Sequence, residues 1–292
     1  MTSVRLAGIF APITTPFDAR GNVAPSPHAD NVSRLSAAGL DGFLVAGSTG
    51  EAPLLDPDEY RVLVAATRQA LPAGKTLLVG TGAEATRHAI ALSRAAGAEG
   101  AHAVVVRPPS YFGSLATTET LVAYYRAVAD ASPIPVLVYN MPRYTHVTIA
   151  PAVLEQLRDH ANIVGVKDSS GDTATLAAYR AAAPAWAVLA GSASVLAAAL
   201  ELGCAGGVAA VACFAPKPCV ELVAAFRAGD KAKAVAIQER LKPLDREIVG
   251  GLGPAGVKAA MDAAGYHGGP PRAPLAAVSA TDRERIIRLL AA

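Results

Sequence analysis

The chain has 292 residues, 52% hydrophobic and 17% charged, which excludes a disordered or fibrous protein and allows a large buried core. Its 26 basic and 24 acidic residues are scattered, giving a formal net charge of +2 and no Lys/Arg stripe that phosphates could follow, so no nucleic-acid partner is expected. Cys204, Cys213 and Cys219 form no C-x-x-C pair, and the N-terminus lacks the basic region, apolar core and cleavage site of a signal peptide, which predicts reduced thiols in a cytoplasmic protein.

Short apolar runs ending in small or polar residues recur along the chain. They are Gly8 to Phe17, Gly42 to Glu51, Thr76 to Gly82, Ala101 to Pro109, Pro135 to Pro142, Ile163 to Ser170, Ala187 to Ala193 and Gly206 to Ala212. Each reads as a strand covered on both faces, because it lacks polar alternation. Ala- and Leu-rich stretches with charges at helical spacing lie between them, such as DPDEYRVLVAATRQAL, with Asp56 as a plausible N-cap. The stretch from Trp186 to Pro216 carries one charge, Glu201, and is long enough to span a bilayer. Gly191, Gly203, Gly206 and Gly207 interrupt it and aromatic belts are missing, so a buried strand, helix, strand unit fits better and no membrane association is expected.

Eight strand-helix units over roughly 225 residues predict an α/β fold, a (β/α)8 TIM barrel, since no strand is followed by a glycine fingerprint and an acidic ribose anchor. Strand signals stop at Pro216, and helical patterns continue to the end. The expected organisation is a barrel over residues 1–225 carrying the active site and a C-terminal helical domain over 226–292, with the helical signal beginning at about Pro216.

In such barrels the reacting groups sit at the C-terminal ends of strands. Those ends hold Ser48, Thr49, Ser110, Tyr111, Tyr139, Asn140, Lys167, Gly191 and Ser192: a lysine surrounded by hydroxyls. The histidines show no H-x-E or H-E-x-x-H spacing, so no metal site is expected. An amine in an apolar pocket is destabilised as the ammonium, and the neutral form is a nucleophile toward carbonyls. Condensed with a 2-oxo acid it gives an iminium that accepts electrons from the adjacent carbon, and a neighbouring tyrosine can shuttle the proton. The plainer readings stand beside this one: Lys167 reaching solvent or pairing with Asp168, and Tyr139 as a core tyrosine with a bonded hydroxyl. The Gly47 to Glu51 stretch, GSTGE, is either a carboxylate-binding loop or a simple Gly-rich turn; the P-loop spacing is absent.

Taken together, PITTPF, GSTGE, YNMP, GVKDSSGD and GGPPRAPL, in this order and spacing through almost the whole chain, resemble the dihydrodipicolinate synthase and N-acetylneuraminate lyase family of pyruvate-dependent class I aldolases. The resemblance implies a lyase with Lys167 as Schiff-base lysine, Tyr139 as proton-relay tyrosine and Ser48 as the relay hydroxyl beside it. It implies that Tyr111 reaches across a subunit interface, that Ser48 and Thr49 hold the pyruvate carboxylate, and that Gly191 and Val208 line the pyruvate end. Pyruvate and an aldehyde or oxo acid are the implied small-molecule partners, the assembly a homotetramer built from dimers. No cofactor is implied.

The chain departs from the pattern where a second substrate would sit. Two places beyond the proline of Y-N-x-P, dihydrodipicolinate synthase has a carboxylate-binding arginine; here that position is Tyr144, with Arg143 one place earlier, and a phenol cannot replace a bidentate guanidinium. Thr145-His146 and Ser110-Tyr111 are further departures. The expected activity is therefore cleavage of a 2-oxo-3-deoxy sugar acid to pyruvate and an aldehyde. The alternatives are dihydrodipicolinate synthase itself, condensing pyruvate with aspartate semialdehyde with Arg143 in the arginine's role, a dehydratase working from the same imine, and a non-catalytic oxo-acid-binding barrel.

Overall fold

The computed structural model describes residues 4–291. Eight parallel strands close into a barrel in chain order: β1 (Gly8–Ala11), β2 (Gly42–Val45), β3 (Thr76–Gly80), β4 (Ala103–Val106), β5 (Val136–Asn140), β6 (Ile163–Asp168), β7 (Ala187–Ala190) and β8 (Gly206–Val208), with β8 pairing back onto β1. All eight predicted apolar runs contain one of these strands. The stretch that was long enough for a bilayer is β7, a helix at Leu196–Glu201 and β8. No helix of the described residues is long and apolar enough to cross a membrane.

The strands sort their side chains into two layers. Phe10, Leu44, Leu78, Val105, Leu137, Leu189 and Val208 fill the barrel. Ile9, Phe43, Val45, Leu77, Val79, Val104, Val138 and Val188 point outward against the helices. Both layers are apolar, so the strand sequences carry no polar alternation, as a sheet buried on both faces requires.

One irregularity in this pattern decides what the barrel can do. On β6, Ile163 pairs with Val136, but the next pair is Gly165 with Leu137, so two residues of β6 span one step of β5. Strict alternation from Ile163, which faces outward, would send Val166 inward and Lys167 outward. The extra residue reverses the phase: Val166 joins the outer layer, and Lys167 falls opposite Tyr139 on the inner face. Gly165 permits this, because a Cβ there would lie 2.5 Å from the Ala187 carbonyl oxygen of β7.

Helices wrap the barrel. The helix at Pro57–Ala70 starts at Asp56, as its sequence predicts, with the Asp56 N–H donating to the Glu59 carboxylate at 2.9 Å. The helix at Pro216–Arg227 packs against β1 and buries Cys219, Leu222 and Val223, so this first helix after β8 completes the outer layer. Lys231–Pro243 then runs into a π-helical turn, Leu244–Gly250, followed by Gly251–Ala263, kinked at Gly253 (φ 60°, ψ −148°), and a last helix at Ala280–Ala291. The π turn faces the C-terminal end of β7, where Asp245 accepts from the Ser194 N–H at 3.0 Å, and Gln238 on the helix before it accepts from the Ala197 N–H of the helix at Leu196–Glu201 at 2.6 Å. Cys204, Cys213 and Cys219 are buried and unpaired.

Candidate active site

A cavity of about 500 Å³ opens at the C-terminal ends of the strands, beneath the π turn. Lys167 and Tyr139 form part of its wall, and both are buried, at 3% and 5% exposure. The Lys167 Nζ lies 4.2 Å from the centre of the Tyr139 ring. Lys167 therefore does not reach solvent. Nor does it pair with Asp168, whose carboxylate accepts instead from Asn140 Nδ2 at 2.7 Å and Ser170 Oγ at 2.6 Å. Burial raises the Asp168 carboxyl from its ordinary value, with those hydrogen bonds opposing.

The Tyr139 hydroxyl is flanked by Ser48 Oγ and Ser169 Oγ, each at 3.5 Å. Burial would raise its pKa, but the charge of Lys167 and hydrogen bonds from Ser169, Ser48 and Lys167 outweigh burial and lower it. A phenol in this setting gives up its proton more readily than a free tyrosine.

The loop bearing Ser48 and Thr49 is held in an uncommon conformation. Ala46 and Glu51, on either side of it, have φ of 51° and 58°, a left-handed backbone that costs a non-glycine residue about 1–2 kcal/mol. Its surroundings impose it. Thr15 Oγ1 donates to the Gly50 carbonyl at 2.7 Å, and the wholly buried Glu51 carboxylate pairs with Lys258 at 2.5 Å and accepts the Arg272 N–H at 2.8 Å. Arg272 in turn binds Glu59, and the Phe17 ring lies near Lys258 Nζ (4.3 Å) and Arg272 Cζ (4.2 Å). The C-terminal GGPPRAPL segment is thus a clamp on the loop.

Gly191 also lines the cavity, and a Cβ there would lie 1.9 Å from Ser169 Oγ. Ser48, Thr49, Ser192, Val208, Arg143 and Tyr144, also singled out in the sequence, share this wall. Arg143 is exposed and donates to the Gly250 carbonyl of the π turn, while the Tyr144 hydroxyl sits near Gly253, where a Cβ would be 3.3 Å away. Burial raises the Tyr144 hydroxyl above its ordinary value.

Tyr111 is apart from the cavity of its own chain. It is 82% exposed, next to Phe112 and Leu115 at 70% and 67%, because the Ser110 and Tyr111 N–H groups donate to the Glu84 carboxylate at 2.8 and 2.9 Å and anchor the loop away from the barrel mouth. Burial would raise the Glu84 carboxyl, but hydrogen bonds from the Tyr111 and Ser110 N–H groups, the Ser110 hydroxyl and Arg107 outweigh it and carry it down to about 2.

Several cavity residues had no sequence signal. Ser169 and Ser170, two and three places after Lys167, lie within the GVKDSSGD motif but carried no assigned role. Lys242, Asp245 and Arg246 come from the π turn and the helix before it, and nothing in a helical sequence pattern marks them as facing a barrel 75 residues upstream (about the separation of Lys242 and Lys167). Among the described residues no group of three or more His, Cys, Asp or Glu side chains is arranged to hold a metal ion.

Comparison with known proteins gives a consistent answer. A sequence model of the dihydrodipicolinate synthetase family matches residues 5–292. The chain is 35% identical to a 4-hydroxy-tetrahydrodipicolinate synthase of Synechococcus sp. (strain CC9605), over 96% of this chain and 93% of that one. It is also 35% identical to a probable mitochondrial 4-hydroxy-2-oxoglutarate aldolase of Emericella nidulans, over 94% and 91%. Among solved structures, YagE, a prophage protein of E. coli K12 in complex with pyruvate, superposes with a TM-score of 0.91 at 29% identity, over 98% of this chain and 97% of that one. With the barrel closed and the family's motifs gathered at one end of it, the chain belongs to the dihydrodipicolinate synthetase family of lyases.

Proposed function

We propose that the protein is a pyruvate-dependent lyase that works through an imine on Lys167 and cleaves a 2-oxo-3-deoxy sugar acid to pyruvate and an aldehyde. The observation that carries this reading is the pairing of Lys167 with Tyr139 on the inner face of the barrel, with Nζ 4.2 Å from the ring and both side chains on one cavity wall. Bulges that re-aim a side chain concentrate next to active sites.

The chemistry balances with these groups alone. The neutral Lys167 amine adds to the C2 carbonyl, and loss of water gives the iminium. Tyr139, as phenolate, takes the proton of the C4 hydroxyl. The C3–C4 bond then breaks, its electron pair passing into the iminium to leave an enamine on Lys167 while the aldehyde departs. Tyr139, now protonated, returns that proton to C3, which gives the pyruvate imine and restores the phenolate, and water releases pyruvate and regenerates the amine. Ser48 and Thr49, on their clamped loop, bind the C1 carboxylate; Gly191 and Val208 leave room for the three-carbon end. Tyr111 is assigned to a contact with a second copy of the chain in a homotetramer, which accounts for its exposure beside Phe112 and Leu115.

The synthase reading draws on the 35% identity to the Synechococcus enzyme. Against it, Tyr144 stands where a carboxylate-binding arginine is needed, and the Arg143 guanidinium is engaged with the Gly250 carbonyl.

Reduction with borohydride in the presence of pyruvate tests the proposal. Peptide mapping should find the added mass on Lys167, and only when pyruvate is present. Folded protein that shows no adduct would overturn it. Efficient turnover of pyruvate with aspartate semialdehyde would transfer the assignment to the synthase.

A further inference from the structure

The outer half of the cavity holds a carboxylate that the imine chemistry does not use. Asp245, on the π turn, lines the cavity yet is only 7% exposed. One of its oxygens, Oδ2, accepts from Ser192 Oγ at 2.5 Å, from the Ser194 N–H at 3.0 Å and from Ser194 Oγ at 2.8 Å. All three protein donors fall on that oxygen. Among the described residues Oδ1 accepts no hydrogen bond, and no cation pairs with the carboxylate. Oδ1 is not closed off by the protein, so it stands open to the cavity as a free acceptor.

The rest of the lining says what that donor is. The other charged groups on the cavity wall are Lys167, Arg143, Lys242 and Arg246, all basic, so the cavity as a whole disfavours a cationic ligand. A neutral donor is favoured instead, and a substrate O–H is one. We infer that Asp245 is a specificity-determining residue whose Oδ1 accepts a hydroxyl from the distal end of the substrate, so that the aldehyde released or consumed is a polyhydroxylated one. This rests on the imine reading above and deepens it. The three serine contacts fix the carboxylate beforehand, so that binding needs no further ordering of the side chain. The π-helical turn is what places Asp245 there: a widened turn brings the residue over the β7 end, where Ser192 and Ser194 meet it.

The test runs in the condensation direction with pyruvate and one of two matched aldehydes, glyceraldehyde or propanal, which differ in their hydroxyls. Rates are normalised to competent sites, counted as borohydride-trapped pyruvate on Lys167. The wild-type protein is expected to favour glyceraldehyde in kcat/KM by tenfold or more. In Asp245→Asn the amide oxygen can keep the serine donors, which turns an N–H toward the cavity in place of the acceptor, and the preference should fall at least tenfold. Asp245→Ala should lose it too, by removing the acceptor outright. An undiminished preference in both variants would overturn the inference, as would a wild-type protein indifferent to the hydroxyls, or one that favours the ammonium-bearing aspartate semialdehyde. Absence of the trapped adduct in the folded wild-type protein would instead remove the imine reading, and this inference with it.

Discussion

Tyr139 and Lys167 are direct partners across β5 and β6, and the pairing depends on one extra residue in β6 that turns the lysine into the barrel. Amine and ring are thereby held together on a rigid sheet before any substrate arrives, which is what the proposed proton transfer beside an amine needs.

Tyr139→Phe keeps the ring next to Lys167 and removes the hydroxyl that Ser48 and Ser169 flank. Turnover should fall by about 10²–10⁴-fold, the range for loss of a positioned acid-base group. Borohydride trapping at saturating pyruvate should still label Lys167, since the nucleophile is retained. Steady-state kinetics and mass mapping on the same preparation check both halves; turnover within tenfold of wild type would contradict the proton-shuttle role.

The lowered pKa of Tyr139 gives the proposed mechanism a pH dependence. On the proposed mechanism the phenolate is the base, so activity should climb with pH through this pKa and level off before the ordinary tyrosine range near 10. Ser169→Ala removes one of the hydrogen bonds that lower it, and the climbing limb should move to higher pH. A kcat profile between pH 5 and 10 measures this. An unmoved limb would assign it to another group.

His28 predicts a stability change at mildly acidic pH. Burial carries its pKa down from 6.5 to about 4, and its Nε2 is 2.7 Å from Thr67 Oγ1. The folded value is the lower one, so between pH 6.5 and 4 the unfolded chain binds a proton that the folded chain does not. Stability is fully present above 6.5 and is lost as the pH falls toward 4, by about 3 kcal/mol at most. Urea midpoints at several pH values should show the slope, and His28→Gln should flatten it.

The Glu51–Lys258 ion pair is closed to solvent, with side chains at 0% and 1% exposure. Lys258→Met leaves the Glu51 carboxylate buried without its partner, and should destabilise the fold by about 3–5 kcal/mol. Glu51→Gln combined with Lys258→Met should recover part of that loss. Because Glu51 closes the loop bearing Ser48 and Thr49, the single variant should also raise KM for pyruvate. Thermal melts and pyruvate titrations separate the two effects; a double variant as unstable as the single one would argue against a pairwise interaction.

Gly165→Ala places a methyl 2.5 Å from the Ala187 carbonyl oxygen, a backbone atom that cannot swing away. Relief requires β6 and β7 to part at the residue that sets the phase of Lys167. A loss of about 1–3 kcal/mol is expected, with reduced adduct yield at a fixed pyruvate concentration. Unaltered stability and yield would show that the bulge tolerates a side chain.

Much of this protein was legible in the sequence. Eight runs without polar alternation, punctuated by turn residues, require strands buried on both faces, and helical patterns between them require a wound α/β fold; the period of side-chain burial is a local property that every residue reports on its own. The motifs ending those runs located Lys167, Tyr139, Ser48, Thr49 and Gly191 on one rim for the same reason, because a parallel barrel gathers all its strand ends at one face, and the family resemblance added Val208. What the linear pattern could not supply was phase and partnership. Strict alternation would have turned Lys167 outward, and only pairing with β5 reveals the inserted residue that turns it inward. Ser169 became a neighbour of the Tyr139 hydroxyl, the GGPPRAPL segment became the clamp on the Glu51 loop, and Asp245 crossed from a helical turn to the β7 end. These are contacts between distant segments, fixed by how helices pack over the barrel mouth, and such packing has no periodic signature in any one segment.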